Sequence, residues 1–334
     1  MRAIRFLLFP FAVLYDLITT VRNYFYDTGV FKSTSFNIPV IAVGNLSVGG
    51  TGKTPQIEYL IRLLLKDKKV AVLSRGYKRK TSGFVLINDS HSASEVGDEP
   101  LQFFKKFSLI SVAVDVDRVH GIQKLIKKVN PDVILLDDAF QHRKVKASTY
   151  VLLTKYNDLY ASDFILPTGN LRESKRGAKR ANVIVVTKCP NNLSKEQQQY
   201  INIKLQPQKR QPIFFSTISY HDRTYGSNQI RVNDLNEYEI ILVTGIANPK
   251  PLVHFLKESN CKVHHLKYSD HHDFSPHDIQ KILSKFDEVH TSKKIILTTE
   301  KDYMRLSKKI DHLSYLEIET KFLENSNEFE RLFK

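Results

Sequence analysis

Tryptophan is absent from this 334-residue chain, methionine and cysteine occur twice each, and 35 acidic residues face 50 lysines and arginines. Cys189 and Cys261 lie far apart and have no metal-type spacing. They suit a reducing cytoplasm and argue against a disulfide framework. The shortage of acids leaves a formal net charge of +15, spread along the chain. A surplus of that size calls for an anionic partner: a nucleotide, a nucleic acid or an acidic lipid surface. There is no low-complexity tract and no internal repeat, and the 42% hydrophobic and 25% charged residues are those of an ordinary soluble globular protein. The length suits two α/β units with ample core.

Long apolar runs are missing too. Arg2 and Arg5 precede an apolar stretch from Phe6 to Tyr15, but Pro10 and Asp16 interrupt it, which argues against a transmembrane helix. No small-x-small cleavage site follows, which argues against a signal peptide. Beyond Pro10, the residues Phe11, Leu14, Ile18, Val21 or Arg22, and Phe25 recur at near-helical spacing. This predicts an amphipathic helix, and the pattern leaves open whether it lies in a membrane interface or docks on the protein's own core.

What is present is a phosphate cradle. Residues 40–54 read as an apolar strand, a glycine-rich turn and then Lys53 and Thr54 opening an amphipathic helix. Backbone N–H groups from Ser47, Val48, Gly49, Gly50, Thr51 and Gly52 can close around phosphate oxygens. Lys53 can reach the β- and γ-phosphates, and Thr54 can coordinate Mg²⁺. The strict pattern wants glycine where Ser47 stands. The permissive φ of Gly49, Gly50 and Gly52 keeps the mechanics intact.

Strand and helix patterns alternate from Val40 to Asp137 and again from Ile240 to Thr299, which predicts a mostly parallel, doubly wound α/β sheet with a second, smaller α/β domain. The expected units are an N-terminal segment 1–35, a nucleotide-binding core 36–160 and a second domain 161–334. The stretch 155–235 reads as a polar connector with short apolar runs at 182–187 and 213–218. The strand Val133–Asp137 ends in paired acids, Asp137 and Asp138, the form of a Walker B element that holds Mg²⁺ beside Thr54. Gly97-Asp98-Glu99-Pro100 opens a helix, where acids serve as caps or, in a phosphoryl-transfer enzyme, orient and deprotonate an acceptor hydroxyl. Ser269-Asp270-His271-His272-Asp273 has no zinc-ligand spacing and fits better as a loop histidine paired with a carboxylate.

Taken in order, the segments 44–54, Ser74-Arg75-Gly76-Tyr77, 96–100, Asp137-Asp138-Ala139-Phe140-Gln141-His142, Leu166-Pro167-Thr168-Gly169-Asn170-Leu171-Arg172-Glu173, Gly245-Ile246-Ala247-Asn248-Pro249, Asp270-His271-His272 and Thr299-Glu300-Lys301-Asp302 resemble the tetraacyldisaccharide 4′-kinase family of lipid A biosynthesis. The resemblance implies ATP- and Mg²⁺-dependent phosphorylation of the 4′-hydroxyl of a tetraacylated glucosamine disaccharide 1-phosphate. It also implies a membrane-associating N-terminal helix at the cytoplasmic face of the inner membrane. By the same resemblance Lys53 and Thr54 serve ATP and Mg²⁺, and Asp98 with His271 is the acid/base pair. Asp137 and Asp138 become metal and active-site carboxylates, while Arg118, Gln141, His142, Asn170, Arg172 and Glu173 line the active site or the lipid-acceptor cleft. Ala139 stands where the family usually has glycine, which predicts an altered turn around Gln141.

Two other classes compete. A partitioning-type membrane ATPase would need a second lysine near Val48, which the chain lacks. A nucleic-acid-dependent NTPase would use the basic charge, but there is no recognised RNA-binding motif and no aromatic-basic interleaving, so no nucleic-acid partner is expected.

Overall fold

The computed structural model describes residues 5–334, so Arg2 of the basic flank lies outside the described residues. The strands are β1 Val40–Asn45, β2 Val70–Ser74, β3 Val85–Leu86, β4 Ser111–Val114, β5 Val133–Asp137 and β6 Thr149–Lys155, followed by β7 Val183–Thr187, β8 Ile213–Gly226, β9 Glu239–Thr244, β10 Lys262–Lys267, β11 Lys294–Thr299 and β12 Leu313–Phe322. They form one sheet in the order β10-β9-β11-β12-β8-β7-β6-β1-β5-β2-β4-β3.

Every residue of β1, β2, β5 and β7 is buried, because helices cover both faces of a parallel sheet. Alternate side chains feed two cores. Ile41, Val43, Val72 and Leu135 pack with Ile57, Leu60 and Ile61 of the helix Lys53–Leu64. Val40, Ala42, Leu73 and Ile134 pack on the other face with Ile122 and Leu125 of the helix Arg118–Val129. The strand order reverses at β1: β5, β2 and β4 lie on one side, β6 and β7 on the other. Open α/β sheets bind ligands at the carboxyl ends of strands flanking such a reversal, where Gly44 to Thr54 and Asp137-Asp138 sit.

The stretch read as a polar connector contains β7, the helix Lys195–Leu205 and the 14-residue β8. Its short apolar runs are β7, buried throughout, and the buried start of β8. The boundary expected at 160/161 falls between β6 and β7, which pair in parallel (Val151↔Val183). The two halves of the sheet meet at β8. That strand starts parallel to β7 at Ile213↔Ile184 and continues antiparallel to β12 as far as Gly226↔Ser314.

At the N-terminus a short turn, Phe6–Leu8, leads into the helix Phe9–Asp27. Its polarity is inverted. Ala12, Tyr15, Asp16, Thr19 and Asn23 face the protein, while Phe11, Leu14, Leu17 and Ile18 are 55–63% exposed. By length and composition alone, Phe6–Asp27 is apolar enough to cross a membrane. The sequence reading counted against such a span; its polar face, however, is hydrogen-bonded to the protein along its length, so the apolar stripe alone is free for a lipid interface.

Candidate active site

The turn after β1 has the form of a phosphate-binding loop. Gly49 (φ +103°) and Gly52 (φ +87°) adopt left-handed backbone conformations, and Gly52 is the N-cap from which the helix Lys53–Leu64 starts. Lys53 and Thr54 therefore occupy the first turn, at the positive end of the helix dipole. Neighbouring elements brace the loop: Asn45 Nδ2 donates to Thr51 Oγ1 at 2.9 Å, Thr187 Oγ1 donates to the Thr51 carbonyl at 2.7 Å, and Lys188 Nζ donates to the Gly50 carbonyl at 2.8 Å.

The paired acids at the end of β5 have opposite electrostatics. Asp137 is buried and accepts from Ser74 Oγ at 2.9 Å, while its Oδ1 has no hydrogen-bond partner among the described residues. Burial, reinforced by Glu99 and Asp138, pushes its carboxyl up to about 7. Burial acts on Asp138 in the same direction, but Lys53 and Arg172 outweigh it and hold that carboxyl below its usual range. Lys53 Nζ lies 3.6 Å from Asp138 Oδ1, and Arg172 Nη1 donates to both Asp138 oxygens at 3.1 and 3.0 Å. The left-handed residue of this turn is Asp138 (φ +47°), not Ala139. Alanine at 139 therefore lies outside the left-handed region and is accommodated without backbone strain.

The second constellation joins residues 173 positions apart. Asp98, at the start of the helix Asp98–Lys106, accepts from His271 Nδ1 at 2.9 Å. Lys301 Nζ lies 3.0 Å from His271 Nε2; an ammonium only donates, so Nε2 carries the lone pair and Nδ1 the proton. Arg305 Nε donates to Asp98 Oδ1 at 2.7 Å, and its Nη2 donates to Oδ2. Burial would raise the Asp98 carboxyl, but His271 and Arg305 together hold it below its usual range. Glu99 links the two centres: it adds to the field on Asp137 and lies 3.6 Å from Lys301.

The residues expected in the acceptor cleft fall into two groups. Arg118 is buried near the paired acids, with Nη1 donating to the Asp115 and Val116 carbonyls; burial, helped by Arg75, lowers it to about 10. His142 is held neutral, down at about 4, by burial and by Arg118. Arg172 reaches Asp138. The others brace a strap, residues 166–173, between the N-terminal helix and the phosphate loop. Asn170 accepts from Val48 N through its carbonyl at 2.8 Å and from Arg5 Nη1 through Oδ1 at 3.1 Å. Gln141 Nε2 donates to the Asn45 carbonyl and to Glu173 Oε1, while Glu173 also accepts from Arg180 and from Asn23 of the helix. Tyr15 closes the contact by donating to the Arg172 carbonyl at 3.0 Å.

A family model described as tetraacyldisaccharide-1-P 4′-kinase matches residues 4–334. This chain belongs to that family. It is 53% identical to a tetraacyldisaccharide 4′-kinase of Flavobacterium johnsoniae, over 99% of this chain and 96% of that one. It is 44% identical to one from Bacteroides thetaiotaomicron, over 90% and 82%. A crystal structure of LpxK from Aquifex aeolicus in complex with ATP superposes with a TM-score of 0.80 at 32% identity, covering 98% of each chain.

In this member of the 4′-kinase family, sequence reasoning missed Arg305 and left Thr299-Glu300-Lys301-Asp302 without a role. Thr299 caps the helix Glu300–Leu306 by accepting from Asp302 N, and Asp302 in turn accepts from Gly245 N at 2.9 Å. That cap aims the next turn at Asp98: Lys301 and Arg305 are four apart and so share one helix face. The spacing was readable, but its target lies some 200 residues away in the chain.

Proposed function

We propose that this chain transfers the γ-phosphoryl group of ATP to the 4′-hydroxyl of a tetraacylated glucosamine disaccharide 1-phosphate, at the cytoplasmic face of the inner membrane. The observation that carries the reading is a convergence. A phosphate loop, paired acids and a buried carboxylate–histidine pair meet at the strand ends of one sheet, beside a helix that turns its apolar face outward. The membership of the family supports the substrate class, and the helix supports a membrane-associated enzyme.

In this reading the loop from Ser47 to Gly52, with Lys53 and Thr54, holds the triphosphate. Lys53 offsets charge that develops on the transferred group. Mg²⁺ suits Thr54, Asp137 and Asp138, because the unpartnered, buried Asp137 Oδ1 and the raised Asp137 carboxyl mark an acid short of positive charge. Bound there, the ion would neutralise β- and γ-phosphate oxygens. Asp98 takes the proton from the 4′-hydroxyl as its oxygen attacks the γ-phosphorus in line and ADP leaves, while the His271 Nδ1–H fixes the carboxylate. Arg118, His142 and Arg172 supply positive or donor groups beside the paired acids, where phosphate and sugar oxygens meet. Gln141, Asn170 and Glu173 shape the acceptor cleft by holding the strap.

The basic surplus then acts at an anionic membrane that presents an anionic acceptor. A kinase assay with Mg-ATP and the tetraacyl disaccharide 1-phosphate in mixed micelles tests the reading. Lipid-dependent ADP release with one phosphate added to the lipid is the expected result. ATP turnover indifferent to the lipid, or stimulated by DNA or RNA instead, would overturn it.

A further inference from the structure

We propose that Arg305 is a positioning residue for phosphoryl transfer: its guanidinium fork fixes the Asp98 carboxylate in one rotamer and keeps the Asp98–His271 pair ready to accept a proton. The inference rests on the kinase reading and adds a residue to it. Asp98 has a side chain only 5% exposed and carries two oxygens with room for about four hydrogen bonds. Arg305 Nε occupies Oδ1 at 2.7 Å, its Nη2 occupies Oδ2, and His271 Nδ1 occupies Oδ2 at 2.9 Å. What remains open is on Oδ1, so the fork decides which lone pair faces an acceptor hydroxyl.

The guanidinium is itself held. Its Nη1 donates to the His272 carbonyl at 2.8 Å, which ties the helix Glu300–Leu306 to the loop carrying His271. His271 has φ +58° and its N–H donates to the Gly245 carbonyl at 3.0 Å, so the loop reaches Asp98 in a backbone conformation that Arg305 pins from the other side. A planar fork with two parallel bonds fixes a carboxylate plane; a lysine at the same position supplies charge without that orientation.

Every charged group facing the pair bears on its proton affinity. From the helix Glu300–Leu306 come Arg305 and Lys301, both cationic, with Lys301 Nζ on His271 Nε2. From Asp98's own helix comes Glu99, itself 3.6 Å from Lys301. From the loop after β2 comes Tyr77, whose ring meets the His271 ring edge-on at 5.6 Å. Two cations against one acid favour the ionised carboxylate, and Arg305 is the only one of them in direct contact with it among the described residues.

Arg305→Met and Arg305→Lys, assayed with Mg-ATP and the lipid acceptor from pH 5 to 9, separate orientation from charge. Arg305→Met removes both. The expectation is a kcat about 10- to 100-fold lower, an acid limb of kcat/KM displaced upward by about one to two pH units, and an unchanged KM for ATP. Arg305→Lys keeps the acid limb near its original place while recovering only part of kcat. A merely structural arginine predicts a different pattern: less active enzyme with an unmoved acid limb, or ATP KM rising together with the loss of kcat. Either result, or wild-type kinetics in Arg305→Met, overturns the inference. A wild-type chain with no lipid-dependent turnover would overturn the kinase reading first, and this inference with it.

Discussion

Lys106→Met should destabilise the protein by about 3–5 kcal/mol, the usual consequence of stripping the cation from a buried ionic cluster. The Lys106 side chain is 8% exposed, and its Nζ sits 2.9 Å from Glu58, 2.8 Å from Glu300 and 3.0 Å from Glu317. Glu58 belongs to the phosphate-loop helix and Lys106 to the helix that begins with Asp98. Glu300 starts the helix bearing Lys301 and Arg305, and Glu317 lies on β12. One ammonium therefore ties the two halves of the molecule together behind the site. Burial works against its charge, but Glu58 and Glu300 outweigh that and raise its proton affinity. Even so, burial and the neighbouring Glu58 push the Glu300 carboxyl up to about 8.

The pH dependence follows from that raised value. Between the usual carboxylate range and about pH 8, the folded state holds a proton that the unfolded state has lost, so stability falls as pH rises through this window. Methionine removes the compensating cation and pushes the acids higher, so the penalty grows with pH and shrinks towards pH 5. Unfolding entropy for a chain of this size is about 0.7 kcal/mol/K, which turns the loss into a Tm drop of about 4–7 °C. Urea and thermal unfolding at pH 5.5 and pH 8 measure it. A loss below about 1 kcal/mol at pH 8, or one that grows on acidification, would refute the reasoning.

Asp98→Ala should lower kcat by about 100-fold or more while ATP affinity, followed by calorimetry, stays within about twofold; parallel loss of both would remove Asp98 from the proton-transfer role. Leu17→Asp with Ile18→Asp places two charges on the exposed stripe of the N-terminal helix, 60% and 57% exposed. Co-sedimentation with anionic liposomes should fall sharply with no change in Tm, and undiminished binding would assign that stripe another purpose. Gly44→Ala puts a Cβ at 2.7 Å from Phe140 Cβ and 2.9 Å from Phe140 N. The turn carrying Asp138 must then move, at a cost of about 1–3 kcal/mol and with lower kcat; a variant of wild-type stability would show that β1 and this turn can separate freely.

The features legible in the chain are those whose parts are neighbours in it. The phosphate loop is one, since glycine φ, strand burial and a helix N-terminus act within residues 44–54. The paired acids are another, since a strand buried on both faces must be apolar throughout and Asp137-Asp138 marks its end. The N-terminal helix was half legible: its period showed two faces, but only docking of Tyr15 and Asn23 on the strap decided that the polar one turns inward. The polar look of residues 155–235 hid β7 and β8, because β7 has only five residues and β8 is fully buried only over Phe214–Thr217 before its pattern turns polar and half-exposed. The order of the motifs suggested that Asp98 and His271 work together, yet nothing in local pattern brings Arg305 to Asp98 or Lys106 to three glutamates. Those meetings depend on strand order and on β8 running from one half of the sheet into the other. Conformational preference and hydrophobic period act over one or two turns of chain, and so they determine elements and contiguous motifs. Which distant charges share a buried space is settled only when the sheet assembles, because burial turns a weak attraction across water into a strong and selective one.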